Sequence, residues 1–231
     1  VRVASHGHFA VGDAGDGRDD ADRLRAATAD GTFVSGDELL AVFARDAASA
    51  GEVVAVPVDT SLAVADYLAE ADIDVTYTPV GDVYVAERAS EPEVAFGGEP
   101  SGAWIWPSET LCPDGPLAAC RLAELVAKEG ALSALIQEVP SYPIERRNVE
   151  TEAKAATMAR VEERVHATYD DVETTDGVRV ETEAGWFLVR ASGTEPLVRV
   201  TAEARDGERA LDLCETATDL VTAATERPPS A

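Results

Sequence analysis

The chain of 231 residues is 45% hydrophobic and carries 44 acidic against 19 basic residues, a formal net charge of −25. This hydrophobic content suffices for one large or two modest folded domains, and it excludes a disordered acidic tail. The acidic excess excludes general nucleic-acid binding, which needs a basic face, so we expect no nucleic-acid partner.

The acidic residues are dispersed along the chain, and all but two of the 19 basic residues are arginine. This composition resembles that of proteins from salt-accumulating archaea. In about 1 M salt, where the Debye length is roughly 3 Å, such a surface repels itself little. Any bound anion must therefore be captured by a local set of donors.

The distribution of apolar residues and cysteines gives a cellular setting. No segment approaches the roughly 18 consecutive apolar residues of a membrane span, and no secretory signal begins the chain, so we expect a cytoplasmic protein without a membrane partner. Cys112, Cys120 and Cys214 show neither a disulfide pattern nor zinc-ligand spacing. We expect all three to be small buried side chains.

The first 30 residues contain no secure pattern. The segment from Val11 to Gly31 is rich in glycine and aspartate. It is typical of a loop, and we expect residues 1–30 to be irregular, the remnant of a larger domain.

Residues 31–139 alternate between strand and helix patterns. Ser35 and Glu38 form a capping box before an apolar helix, and Val53–Val58 is a continuous β-branched run typical of a buried parallel strand. Further elements are expected at 61–68 (helix), 73–77 and 94–96 (strands), and 114–128 (helix capped by Asp114). The order predicts a layered α/β domain with crossover helices.

Residues 140–231 have a different character, which begins at the proline-rich segment 140–143. The patterns predict strands at 144–149, 178–181, 186–189 and 197–203, with helices at 152–167 and 207–222. Strands that follow one another with helices outside them indicate a small α+β domain with a mainly antiparallel sheet.

Two loops carry residues suited to binding. In Arg190–Val200, turn amides with the hydroxyls of Ser192 and Thr194 can converge on an oxyanion, and Arg190 adds a two-pronged contact. The alternative is an ordinary hairpin with Arg190 and Arg199 in surface ion pairs.

The second loop is Gly97–Gly102. Its glycines allow a tight turn, and Glu99 and Ser101 suit two neighbouring sugar hydroxyls. The alternative is a glycine-rich turn whose polar residues are solvated.

Several motifs in order resemble the α-D-phosphohexomutases, a family that includes phosphoglucomutase, phosphomannomutase and phosphoglucosamine mutase. The resemblance runs from about Asp20 to the C-terminus. The sequences of the motifs are most similar to those of archaeal phosphoglucosamine mutases or phosphomannomutases. The motifs are GTFVSGDELLA (31–41), TPVGDVYVAE (78–87), GGEPSG (97–102), CPDGPLAA (112–119) and RASGTEPLVRV (190–200).

The resemblance implies that residues 31–139 are a sugar-binding domain III and residues 140–231 a phosphate-binding domain IV. Family members move a phosphoryl group between O1 and O6 of a hexose phosphate through a bisphosphate, which also serves as activator. The implied contacts are Glu99 and Ser101 with sugar hydroxyls, Gly81 and Asp82 on the specificity loop, and Arg190, Ser192, Gly193 and Thr194 with the non-reacting phosphate.

The family binds Mg²⁺ through the motif Asp-Gly-Asp-Ala-Asp-Arg, whereas residues 18–23 here are Arg-Asp-Asp-Ala-Asp-Arg. Asp20 and Asp22 match two ligands, and Arg23 matches a phosphoserine contact. Alternatively, Asp16 and Gly17 begin the motif and the next two residues are an insertion. Because either alignment disturbs a near-octahedral set of oxygen ligands, we expect Mg²⁺ binding to be impaired.

The phosphorylated serine of the family lies in a Ser-His-Asn-Pro context on domain I. Ser5 in Ala-Ser-His-Gly is a weak match without that structural context. We therefore expect the C-terminal half of a phosphohexomutase without its catalytic domain. The alternatives are a non-catalytic sugar-phosphate-binding module and a half-enzyme that needs a separate N-terminal partner.

Overall fold

The computed structural model describes the backbone of residues 7–11 and the whole of residues 21–225. The chain divides into two compact units, Val1–Ser141 and Tyr142–Ala231. Ser5 and Asp20 lie outside the described residues.

The first unit is built on two sheets. A small antiparallel sheet has the order β1-β2-β3, and a four-stranded sheet has the order β5-β4-β6-β7. The elements are β1 (Gly7–Val11), β2 (Leu24–Thr28), β3 (Phe33–Val34), α1 (Gly36–Ala47), β4 (Val53–Pro57), α2 (Leu62–Ala69), β5 (Asp74–Thr78), α3 (Asp82–Ala89), β6 (Val94–Glu99), β7 (Ala103–Ile105), α4 (Gly115–Glu129) and α5 (Leu132–Gln137).

The four-stranded sheet confirms the predicted α/β layer. β4 pairs in parallel with both β5 and β6, and β7 is an antiparallel edge strand. Both faces of the sheet are covered: Val54 and Phe96 belong to the large core that includes α1 and α2, whereas Ala55 packs with residues of α3. Burial on both faces explains why β4 is a continuous apolar run.

Helix α1 begins as its sequence predicts. Ser35 Oγ accepts from Glu38 N at 3.2 Å, and Glu38 Oε2 accepts from Ser35 N at 2.7 Å, which completes the capping box. Asp114 caps α4 in the same manner, through Leu117 N at 2.8 Å. These caps fix where the two helices begin.

The second unit is an antiparallel sheet with two helices, as predicted. Its strand order is β8-β12-β11-β10-β9. Alternate residues of these strands pack against α6 and α7 in a second core. The elements are β8 (Ile144–Glu150), α6 (Lys154–His166), β9 (Val172–Glu173), β10 (Val178–Glu181), β11 (Gly185–Ala191), β12 (Leu197–Ala204) and α7 (Gly207–Thr225).

The opposite face of this second sheet holds a buried polar cluster. Trp186 Nε1 donates to the buried carboxylate of Glu203 at 2.9 Å, and the Arg179 guanidinium lies 4.2 Å from the centre of the Trp186 ring. A charge that is buried with a hydrogen-bond partner avoids most of the cost of desolvation. These contacts therefore allow Arg179 and Glu203 to be buried on the face of the sheet opposite α6 and α7.

Two expectations are wrong. Residues 1–30 are not wholly irregular, because strands β1 and β2 lie within them. Every second residue of β2 is buried, but two of its five residues are alanines, so the apolar alternation is weak in the sequence. Cys112 and Cys120 are exposed, and only Cys214 of the three is buried. Cys112 lies in a polar loop and Cys120 lies on the exposed side of α4, so neither side chain packs into a core.

Among the described residues, no helix has both the length and the apolar character needed to cross a membrane.

The start of α1 leaves no room for a side chain at Gly36. A Cβ there would lie 1.8 Å from the carbonyl oxygen of Pro100, a backbone atom that cannot rotate away. We expect Gly36→Ala to lower the free energy of unfolding by about 1–3 kcal/mol, as for other overpacking changes. Gly207→Ala is the matched control because Gly207 also begins a helix and its Cβ would meet nothing closer than 3.9 Å. Urea unfolding of both variants measures the difference, and equal stabilities would contradict the predicted clash.

Candidate functional site

The first unit brings three loops to one edge of its parallel sheet. β4 lies between β5 and β6, and the loops that follow these strands begin after Pro57, Thr78 and Glu99. The chain passes from β4 to β5 on one side and then crosses to β6 on the other, so a topological switch point lies between β4 and β6. Ligands of open α/β sheets bind in the crevice outside the carboxyl ends of the strands at such a point.

Residues 99–102, here called the sugar loop after the contacts that the family resemblance implies, form a tight turn between β6 and β7. Gly102 N donates to Glu99 O at 2.9 Å, and Gly102 has a φ of +109°, which favours glycine. A Cβ at Gly102 would lie 2.8 Å from Leu24 O. The glycines predicted to allow a tight turn do so here by close approach to β2.

Two further residues hold the sugar loop, and sequence reasoning missed both. Arg25 Nη1 donates to Pro100 O at 3.1 Å, and the bare backbone of Gly36 packs against the same carbonyl oxygen. Arg25 reaches across 75 residues of sequence, so no local pattern indicates its contact. Gly36 follows the N-cap of α1, which could have suggested a close approach.

Glu99 is half-buried at the centre of this edge. Burial is the main cause that raises the pKa of its carboxyl above 4.5, and the carboxylates of Asp82 and Asp59 raise it further, while Arg23 and the Ser101 hydroxyl lower it. The structure therefore brings the predicted residues Glu99, Asp82 and Arg23 into electrostatic contact.

Two hydroxyls at this edge have unused hydrogen-bonding capacity. Ser101 Oγ is buried and makes no hydrogen bond of normal geometry within the described residues, although it lies close enough to Glu99 to lower its pKa. Thr60 Oγ1, in the loop after β4, is likewise buried and unpartnered there. Buried hydroxyls are usually hydrogen-bonded, so Ser101 is suited to a ligand that approaches the sugar loop.

Gly81 and Asp82 begin helix α3. Gly81 is the N-cap with a φ of +136°, and Asp82 Oδ1 accepts from Val83 N at 2.9 Å. Sequence reasoning placed these two residues on a loop and missed the helix, whose buried stripe consists only of Val85 and Ala89.

The expected metal loop is described only in part. Asp22 Oδ1 lies 3.8 Å from Arg23 Nε, and Asp20 is outside the described residues. Within residues 21–225 no group of three His, Cys, Asp or Glu side chains could hold a metal ion. Asp22 is thus the one predicted Mg²⁺ ligand that lies within the described residues.

The second unit carries residues 190–196, here called the phosphate loop after the contacts that the family resemblance implies, at the connection between β11 and β12. The two strands form the predicted hairpin, with Arg190 opposite Arg199. Ser192 is 5% exposed, and its Oγ accepts from Glu195 N at 3.2 Å. The Ser192 hydroxyl therefore stabilises the turn in this structure.

Gly193 and Thr194 form the exposed tip of the phosphate loop. Neither backbone N–H donates to another atom of the described residues. Amide N–H groups without an internal acceptor can donate to a bound anion. The predicted role of this tip in phosphate binding stays a prediction.

The two arginines of the hairpin carry carboxylate partners. Arg190 Nη2 lies 2.7 Å from Asp176 Oδ2, and Arg199 Nη2 lies 2.7 Å from Glu195 Oε2. The backbone of Gly177, which has a φ of +94°, packs directly against the Arg190 side chain. A Cβ at this position would lie 2.5 Å from Arg190 Cγ. Arg190 is therefore packed and charge-paired, with its side chain 32% exposed beside the phosphate loop.

Two family models match the chain. The model described as Phosphoglucomutase/phosphomannomutase, alpha/beta/alpha domain III, matches residues 35–142, and the C-terminal domain model of the same family matches residues 146–220.

Relatives match over the same range. The "Probable phosphoglucosamine mutase" of Methanopyrus kandleri is 46% identical over 208 residues, which are 87% of this chain and 46% of the relative. A phosphoglucomutase/phosphomannomutase family protein of Burkholderia thailandensis is 25% identical in its crystal structure, with a TM-score of 0.74, over 89% of this chain and 46% of that one. The chain therefore spans about half the length of the relatives it matches.

A more distant structure shares the fold. N-acetylphosphoglucosamine mutase of Aspergillus fumigatus, solved in complex with GlcNAc-6P and magnesium, is 18% identical with a TM-score of 0.63, over 90% of this chain and 51% of that one.

The raised pKa of Glu99 makes a prediction about stability and pH. A carboxyl with a raised pKa in the folded protein favours the protonated form, so its stabilising contribution is complete below pH 4.5 and is lost as the pH rises through the folded pKa. We expect Glu99→Gln to gain stability relative to the unchanged protein as the pH rises above 4.5 and through the folded pKa of Glu99.

Urea unfolding at a series of pH values measures this gain. Glu87→Gln is the control, because Glu87 is exposed on α3 and its substitution removes an equal charge from a solvated position. A constant difference between Glu99→Gln and the unchanged protein across the series would contradict the prediction.

Proposed function

Because the chain belongs to the α-D-phosphohexomutase family, we propose that it supplies the sugar-binding and phosphate-binding parts of an enzyme that interconverts hexose 1-phosphate and hexose 6-phosphate. The carrying observation is the exposed pair of amides at Gly193 and Thr194 beside Arg190, a ready anion site on an acidic protein. The names of the relatives favour a hexosamine phosphate as substrate.

The phosphate loop holds the phosphate that does not react. The amides of Gly193 and Thr194 and the Arg190 guanidinium donate to its oxygens, and the Thr194 hydroxyl adds a further donor. For Arg190 to turn to a phosphate, the dianion must compete with Asp176 for the guanidinium. Donors fixed on a hairpin hold the distal end of the substrate, and phosphoryl transfer depends mainly on such positioning.

The sugar loop orients the ring. The Glu99 carboxylate accepts from one hydroxyl, and the Ser101 hydroxyl donates to or accepts from its neighbour. Asp82, close enough to raise the pKa of Glu99, lies where it can help select among sugars. A bisphosphate that turns around presents different hydroxyls to this loop, and a carboxylate and a hydroxyl together can bind either set.

Family resemblance suggests the activator and the metal, and composition suggests the cellular setting. We propose a hexose bisphosphate activator and a cytoplasmic location in a salt-rich cell. In the family Mg²⁺ supplies charge neutralisation of the transferring phosphate. Here Asp22 and Asp20 are its candidate ligands, and Arg23 is a candidate phosphoserine contact.

An activity assay separates the proposed roles. Glucosamine, glucose and mannose phosphates are assayed in high salt with Mg²⁺ and a hexose bisphosphate, with the chain alone and after addition of the N-terminal half of the Methanopyrus relative. Turnover only with that half supports a half-enzyme that needs a partner. Sugar-phosphate binding without turnover in either case supports a binding module, and absence of binding contradicts the proposal.

The contribution of Arg190 can be measured by titration with glucose 1-phosphate. A hydrogen bond from a charged group contributes about 1.5–3 kcal/mol, and the partial exposure of Arg190 favours the lower end. We therefore expect Arg190→Ala to weaken binding about tenfold. Arg209→Ala removes the same charge from an exposed site on α7 and should leave the affinity unchanged. Equal affinities for Arg190→Ala and Arg209→Ala would exclude Arg190 from the phosphate site.

A further inference from the structure

Helix α6 begins with a lysine in a place where helix electrostatics disfavours one. Lys154 is its first residue, the N-cap Ala153 provides no side-chain cap, and the first turn carries no acidic residue. A cation near a helix N-terminus is unfavourable because the macrodipole is positive there. Apart from Lys128, every other basic residue in the chain except histidine is an arginine. An interaction outside the helix must therefore stabilise Lys154.

That interaction is with the phosphate loop. Lys154 Nζ donates to the backbone carbonyl oxygens of Ser192 and Glu195, the latter at 2.9 Å. Just before the helix, Thr151 N donates to Pro196 O at 2.9 Å. Three carbonyl groups of the phosphate loop thus face the turn between β8 and α6.

The contact with Ser192 O determines the direction of the next amide. In a planar trans peptide, the C=O of one residue and the N–H of the next point in opposite directions. When Lys154 holds Ser192 O, the N–H of Gly193 must point away from α6. This N–H is one of the two at the exposed tip that have no acceptor among the described residues.

We propose that Lys154 is a positioning residue of the phosphate loop. Its ammonium group holds the Ser192 and Glu195 carbonyls on the α6 side and so fixes the Gly193 N–H as an anion donor on the opposite side. Lys154 acts through the backbone and does not touch the phosphate. This inference rests on the proposed phosphate-binding function of the loop.

The geometry explains why a lysine stands at position 154 in a chain with 17 arginines and only one other lysine, Lys128. An ammonium group is a compact centre whose three N–H bonds can reach two carbonyl oxygens at once. The planar fork of arginine matches carboxylate and phosphate, and an arginine near the loop would itself compete for the ligand. The ammonium group of Lys154 instead places a positive charge on the α6 side of the loop, where it binds two carbonyl oxygens.

The test compares Lys154→Met with Lys128→Met. Lys128 is the other lysine, exposed near the end of α4 beside Asp46 and Glu129, so its loss changes the net charge equally. Inorganic phosphate and glucose 1-phosphate are titrated into the full chain at fixed salt. We expect Lys154→Met to weaken both affinities about tenfold, as for the loss of one oriented donor, and Lys128→Met to change neither.

The amide resonance of Gly193 in the ligand-free protein provides a second measurement. We expect Lys154→Met to shift it and to raise its hydrogen-exchange rate, while the thermal midpoint stays near that of Lys128→Met. Lys154→Arg keeps the charge but not the geometry and should give an intermediate affinity. If Lys154→Met proves unstable, the Gly193 resonance of Lys154→Arg gives the same comparison.

The outcomes distinguish this inference from the proposed function. Weaker phosphate binding with an unmoved Gly193 resonance would mean that Lys154 contacts phosphate directly, which overturns positioning. Unchanged affinity and an unchanged resonance overturn it as well. If the unchanged protein binds no phosphate, the proposed function fails, and a shifted Gly193 resonance still establishes that Lys154 sets the loop.

Discussion

Parallel pairing of β4 with both β5 and β6 is the constraint on which the first unit depends. It forces helices onto both faces of the sheet, because parallel strands need crossover connections. It also brings the ends of three strands to one edge. Glu99 and Asp82 are 17 residues apart in sequence and interact only because their strands end at this edge. The chemistry of the edge is therefore a consequence of strand direction.

The function proposed for the second unit meets a different constraint, because an anion would have to bind to a protein of net charge −25. The overall field opposes binding, so the donors must be local and oriented. Backbone amides are suited to this task because they carry partial positive charge and need no carboxylate partner. The arginines of the hairpin, by contrast, are paired with Asp176 and Glu195.

Periodicity predicted most elements of both units, since α1, β4 and the strands of the hairpin have strong apolar patterns or caps. It failed where an element is short or weakly apolar. Helix α3 buries only Val85 and Ala89, β7 has three residues, and β2 alternates with small alanines. The predicted binding residues Glu99 and Asp82 and the predicted phosphoserine contact Arg23 interact electrostatically, but the contacts that hold the loops are long-range. Arg25 and Lys154 reach loops 75 and at least 38 residues away, which no local pattern can indicate.

The ion pair between Arg190 and Asp176 bears on competition from simple ions. An exposed guanidinium in concentrated salt attracts chloride, which would have to leave before a substrate could enter. With Asp176 already 2.7 Å away, a monovalent anion gains little by displacing a carboxylate of equal charge. A phosphate dianion carries twice the charge and can also accept from the loop amides. If the loop binds phosphate as proposed, Asp176 is a counter-ion of Arg190 that favours multivalent anions over monovalent ones.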